Sequence, residues 1–158
     1  MTDVGDGGSL GVRFFATRLN ENSIQNPGAP RDERVGQLAG GFSLPEYKLT
    51  TNVTYSTGPF SLFVQGRWID SGTLDRTRIE GVTIDDNTVD SVFYTDVNAS
   101  YTLSGQREWQ LFFNVTNLLD EEPPLVAAIV GRTGTNEFNA ALHDVLGRRF
   151  AVGFRLSL

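Results

Sequence analysis

The sequence predicts an all-β chain, an antiparallel meander of about six strands, and three observations carry that prediction. Six segments alternate apolar and polar residues with period two, the pattern of half-buried strands. The joins between them alternate between short glycine-bearing turns and long polar connections. No run approaches the roughly 20 consecutive apolar residues of a membrane helix, while glycine at 17 positions and phenylalanine at 11, with one Met and one His, suit a β-rich chain.

The final segment, Gly147 to Leu158, alternates most strictly. Phe150, Val152, Phe154, Leu156 and Leu158 fall on one face, and Arg149, Ala151, Gly153, Arg155 and Ser157 on the other. One apolar face opposite a small or charged one suits a wall between lipid and water. In a soluble sandwich Arg155 would lie on the solvent face or need a buried partner.

The earlier segments follow the same rule. The first runs about Ser9 to Leu19, with Leu10, Val12, Phe14 and Ala16 opposite Gly11, Arg13, Phe15 and Thr17. The second, about Tyr47 to Ser56, sets Tyr47, Leu49, Thr51, Val53 and Tyr55 against an entirely polar face that includes Lys48 and Asn52. In the third, about Phe60 to Ile69, Phe60, Leu62, Val64, Gly66 and Trp68 oppose Ser61, Phe63, Gln65 and Arg67. The fourth, about Val92 to Leu103, places Val97, Ala99, Tyr101 and Leu103 against Asp96, Asn98, Ser100 and Thr102. The fifth, about Glu108 to Asn117, places Trp109, Leu111, Phe113 and Val115 against Gln110, Phe112, Asn114 and Thr116. Each approximates the 9–11 residues that a tilted strand needs to cross a bilayer.

Thr57-Gly-Pro59 and Gly105-Gln-Arg107 read as tight turns, whereas about Asn20 to Glu46, Ser71 to Asp90 and Leu118 to Leu146 are long and polar. Short turns at one end and long loops at the other form the outer-membrane barrel pattern, with the carboxyl end on the periplasmic side. Trp109, Tyr101, Tyr55 and Phe60 sit beside the short turns, where an aromatic girdle would lie, and Trp68, Phe93 and Tyr94 sit near the opposite rim.

Composition excludes several chemistries. With no cysteine there are no disulfides or thiolate metal sites, and with a net charge of -6 no basic stripe exists to neutralise nucleic-acid phosphates. His143 is alone, so neither a metal site nor a nucleophilic triad is expected, and no cofactor is implied. Glu121 and Glu122 precede Pro123-Pro124 on a loop, and adjacent carboxylates do not face each other across a defined gap as glycoside hydrolysis needs. No catalytic residue is therefore expected.

Asp75, Asp85, Asp86, Asn87 and Asp90 make one connection acidic, without the ligand spacing of an EF-hand, so a solvated loop is expected. Asn117 and Asp120 are expected to cap a turn. Three glycosylation-like triplets, at Asn52, Asn98 and Asn114, fall mid-strand on the polar parity and are expected to be wall positions rather than acceptors. Arg13, Arg67, Arg149 and Arg155 share that parity, which would line a water-filled interior, with Asp96 as a candidate partner.

Tyr94-Thr-Asp-Val-Asn-Ala-Ser-Tyr101, then Val115-Thr-Asn-Leu-Leu-Asp120, then Gly147-Arg-Arg-Phe150 resemble, in order and spacing, the carboxy-terminal end of TonB-dependent outer-membrane receptors. Pro45 with Tyr47-Lys48 is also similar to the family's usual approach to a late barrel strand, and the resemblance spans about Ser9 to Leu158. It implies that the meander is the last part of a barrel wall of about 22 strands, plugged from inside, in the outer membrane of a Gram-negative bacterium. Residues 1–158 would be one such segment, with plug and earlier strands absent; Leu158 stands where the family usually ends in Phe or Trp. The amino end lacks a basic and then apolar leader, so the expectation is a carboxy-terminal piece of a longer polypeptide or a truncated gene product.

The resemblance further implies energy-coupled uptake of a scarce solute, such as a ferric siderophore, cobalamin or an oligosaccharide. Implied partners are outer-membrane lipid, the small solute, the barrel-assembly machinery and the TonB complex acting through the plug. Candidate ligand contacts in the long loops are Arg76, Arg78, Asp85, Asp86, Arg132 and Asn136, chosen by location; candidate lumen residues are Arg13, Arg67, Asp96, Arg149 and Arg155. The competing expectation is a soluble six-strand β-domain acting as a ligand- or carbohydrate-binding module, with the apolar parity facing a shared core.

Overall fold

The computed structural model describes residues 2–5, 7–38, 44–103, 108–125 and 138–157. Its strands are β1 (Thr2–Val4), β2 (Gly8–Arg18), β3 (Ser23–Ile24), β4 (Asp32–Glu33), β5 (Tyr47–Thr57), β6 (Phe60–Ile69), β7 (Gly72–Thr73), β8 (Thr88–Val89), β9 (Val92–Leu103), β10 (Glu108–Thr116) and β11 (Arg149–Ser157). Seven of them form one sheet in the order β1-β2-β5-β6-β9-β10-β11, and every neighbouring pair is antiparallel. There is no helix among the described residues. The all-β antiparallel meander therefore stands, and the six long strands match the predicted spans to within about two residues at each end.

The short strand β1 is an addition. It pairs with the first residues of β2, Thr2 opposite Leu10 and Val4 opposite Gly8. Gly5 and Gly7, between β1 and β2, lie at the same end of the sheet as the two-residue turn Gly58-Pro59, so the short–long alternation extends one strand further. Both turns use glycine in the left-handed region, with φ of 40° at Gly5, 76° at Gly7 and 51° at Gly58. The expected tight turn at Gly105 lies outside the described residues.

Register converts six separate alternations into two continuous faces. Val12 pairs with Val53, Val53 with Val64, Val64 with Val97, Val97 with Val115, and Val115 with Phe150. Directly opposed residues share a face, so this row places the apolar parity of all six long strands on one side. A slip of one residue in any pair would move that strand's apolar set to the other side, which is why the pattern specifies the register.

No second layer of strands covers this apolar side among the described residues, although Val115 is buried within it and Arg148 lies over the Phe150 ring. Val12, Phe14, Tyr101, Leu111, Phe150, Val152 and Phe154 are all exposed, Val152 at 81%. Exposed apolar side chains thus run together across several strands, whereas a soluble monomer usually shows only small contiguous apolar patches. The aromatics expected beside the short turns, Trp109, Tyr101, Tyr55 and Phe60, are on this face, as are Trp68 and Phe93 near the other end. Tyr94 is not; it opposes Arg67 on the polar face and is fully buried.

The buried apolar side chains instead gather at the end with the long connections. One cluster joins Leu38, Leu74 and Val89, with Ile84 and Leu142 against it; another joins Ile69, Val92 and Tyr94, again with Leu142. All three long connections thus contribute to one cap. Two small hairpins, β3–β4 and β7–β8, give it local structure, and Leu38 N donates to Thr73 O (2.9 Å) while Thr73 N donates to Gly36 O (2.8 Å), tying the first connection to the second. Asn139 Nδ2 donates to Leu38 O at 2.6 Å and brings in the third.

Candidate functional site

The polar face and the cap that closes one end of it are the chemically equipped parts of the molecule. Across the face the register again makes rows. Ser9, Ser56, Ser61 and Ser100 are successive partners, and so are Arg13, Asn52, Gln65 and Asp96. Side-chain amides bond across adjacent strands, Gln65 Nε2 to Asn52 Oδ1 at 2.9 Å and Asn98 Nδ2 to Asn114 Oδ1. The three triplet asparagines thus lie mid-strand on the polar face and bond to their neighbours. An amide pair keeps spare donors and acceptors for solvent or ligand.

The four arginines of this face divide into two kinds. Arg67 pairs with Asp96 (3.2 Å) and lies 5.5 Å from the Tyr94 ring centroid, where the ring's negative face favours a cation. Arg149 makes a two-pronged contact with Asp144, at 2.9 and 3.1 Å, and the Asp144 backbone N–H donates to Tyr94 Oη at 3.2 Å. Burial pushes the Asp144 carboxyl upward, but Arg149 and the Leu146 backbone N–H outweigh it and hold it below the usual range. A chain of contacts Asp96–Arg67–Tyr94–Asp144–Arg149 therefore ties the wall to the third connection. Arg13 and Arg155, by contrast, meet no carboxylate and no hydrogen-bond partner among the described residues.

The motif segments interlock at the cap. Asn117, fully buried with φ of 53°, donates from Nδ2 to Glu121 O and accepts the Glu121 N–H on Oδ1, both at 2.9 Å. Asp120 (φ 59°) accepts the Arg148 backbone N–H at 2.8 Å, beside Gly147 at φ 67°. The expected turn capping is thus present, and it also joins the end of β10 to the start of β11.

Of the loop residues chosen by location, three are engaged in holding the cap. Arg76 donates through Nη1 to Val35 O. Arg78 lies 3.8 Å from Asp75 and donates to Thr83 O at 3.4 Å. Asp86 accepts from the Thr88 N–H and hydroxyl, which lower its pKa. Asp85 is exposed; Arg132 and Asn136 lie outside the described residues. Asn87, named in the sequence only as part of the acidic connection, exchanges bonds with the Asp75 backbone in both directions at 3.0 Å; sequence reading did not single out Glu33, whose pKa is lowered by the backbone N–H groups of Asn22, Val35 and Arg34. Their only sequence signal was the Asx-and-turn composition of the connections.

No family model, curated protein or solved structure matches the chain. The functional reading therefore rests on its own residues.

Proposed function

We propose that the chain is a wall segment of a TonB-dependent outer-membrane receptor, working in energy-coupled uptake of a scarce solute. One observation carries the membrane part of this reading: an apolar face continuous over six long strands, with no second layer of strands over it among the described residues. A sheet buries such a face against a second layer or against lipid. The soluble-module reading requires the second layer. The edges agree, since β2 beyond Leu10 and the whole outer edge of β11 have no strand beside them among the described residues. Unpaired edges of this length aggregate unless further strands continue the wall.

The receptor part rests on the resemblance and on the way its segments engage each other, Asp120 of the Asn-Leu-Leu-Asp turn holding the backbone of Arg148. In this reading the cap presents solute-facing loops outside, the polar face lines the interior, and the plug and its TonB contact belong to other parts of the receptor. The segment performs no covalent chemistry.

The test uses the two tryptophans. Both Trp68 and Trp109 lie on the apolar face, near opposite ends. Reconstituted into vesicles with bromine-labelled acyl chains, both lose fluorescence; without lipid or detergent, the chain associates or precipitates. A monodisperse, cooperatively unfolding monomer in plain buffer overturns the proposal.

A further inference from the structure

Towards the short-turn end, away from the cap, the polar face holds a hollow of about 230 Å³ lined by Asn98, Ser100, Gln110, Phe112, Asn114 and Arg155. Its aromatic floor depends on a glycine. Phe112 is directly opposite Gly153, and a β-carbon on Gly153 would stand 2.5 Å from Phe112 Cζ. The ring thus occupies the space that any side chain at 153 would need, and lies beside Arg155, two residues along the same strand.

Among the described residues the lining has a cation and no anion. Arg155 has no ion-pair or hydrogen-bond partner among the described residues, and no Asp or Glu lines the hollow. On a chain of net charge -6, this guanidinium has no counter-ion among the described residues, unlike Arg67 and Arg149 on the same face. Its planar fork matches a carboxylate. Around it stand three amides and a hydroxyl, which suit a ligand's hydroxyl groups, and a ring face suited to C–H bonds. The volume lies below the roughly 300–1,000 Å³ of pockets for drug-sized molecules, so it suits a single small ring.

We propose that this hollow is a binding subsite for a small hydroxylated carboxylate, in chemical terms a sugar acid. The proposal rests on the reading of the polar face as the water-filled side of a barrel wall, and it adds an inward station to the solute route, separate from the cap. Arg155 holds the carboxylate, Asn98, Asn114, Gln110 and Ser100 hold hydroxyls, and Phe112 packs against the ring.

Glucuronate is the probe, added to the isotope-labelled chain in lipid nanodiscs while side-chain N–H resonances of Asn98, Gln110, Asn114 and Arg155 are followed. Saturable shifts are expected, with glucose (no carboxylate) and acetate (no hydroxyls) each about tenfold weaker. Arg155→Gln weakens glucuronate by about tenfold and Arg155→Lys by less, because charge remains but the fork does not. Lys48→Gln, a charge change at the other end of the same face, leaves it unaltered. Equal binding of acetate and glucuronate reduces the site to an adventitious anion and overturns the proposal, as does the absence of a saturable shift or an equal loss in Lys48→Gln. If lipid quenching of Trp68 and Trp109 persists while these shifts are absent, the subsite alone falls; if quenching is absent as well, the membrane reading falls with it.

Discussion

The carboxylate of Asp96 accepts the backbone N–H of Asn117 at 2.9 Å, joining the middle of β9 to the turn that ends β10. Its other oxygen meets Arg67 at 3.2 Å, so one side chain serves both the wall and the cap. Asp96→Ala removes both contacts and is expected to lower stability by about 1–3 kcal/mol; Asp96→Asn keeps an acceptor for Asn117 and costs about 1 kcal/mol or less, because the ion pair is partly solvated. Urea unfolding in detergent micelles separates the two. Equal losses in both variants would assign the whole effect to the ion pair.

Gly72 lies where the first and second connections cross. A β-carbon there would run into the Gly36 carbonyl oxygen and stand 2.8 Å from Leu38 Cγ, so backbone must shift. Gly72→Ala should loosen the cap by about 1–3 kcal/mol and leave the long strands in place. Hydrogen exchange reads this directly: Leu38 and Thr73 amides, bonded to Thr73 O and Gly36 O, exchange faster while mid-strand amides do not change.

Val152 and Ala151 are neighbours in β11 on opposite faces. In a lipid-bounded wall, Val152→Arg costs about 2–4 kcal/mol near the bilayer midplane, whereas Ala151→Arg on the watery side costs little. The fraction of chain inserted into vesicles measures the difference. If both variants insert equally well, the apolar face does not meet lipid.

His143 is 5% exposed, with neither ring nitrogen having a hydrogen-bond partner among the described residues, and burial lowers its pKa from the ordinary 6.5. Below the unfolded value the unfolded chain takes up a proton that the folded cap resists. Stability is therefore full above about pH 6.5 and declines as pH falls from there toward the folded pKa. Hydrogen exchange at the Leu142 and His143 amides, both bonded to Asn139 O, is expected to show more frequent opening at pH 5.5 than at pH 8, after correction for intrinsic exchange, and His143→Leu should remove that dependence.

The wall was more legible than the cap. Arg67 and Asp96 share a parity in the sequence, so their pairing followed once two strands were placed side by side. Asp144, the partner of Arg149, lies in an irregular connection where no period indicates which way a side chain points. For the same reason Arg76, Arg78 and Asp86 could be placed in loops but not assigned their bonds to Val35, Thr83 and Thr88.

By itself the sequence determined the six long strands, their two faces and the alternation of their joins, because a period of two encodes both the conformation and the side on which each residue lies. It also excluded slips of one residue between neighbouring strands, since each would place an apolar set among polar partners, while the pairings themselves, such as Val64 with Val97, came from the structure. The tertiary structure decided what depends on residues distant in the chain: the cap assembled around Leu38, Leu74, Val89 and Leu142, the division of the arginines into paired and unpaired, and the setting of Phe112 over Gly153 beside Arg155. These arise from crossings between connections and strands, where spatial proximity has no periodic trace in the sequence.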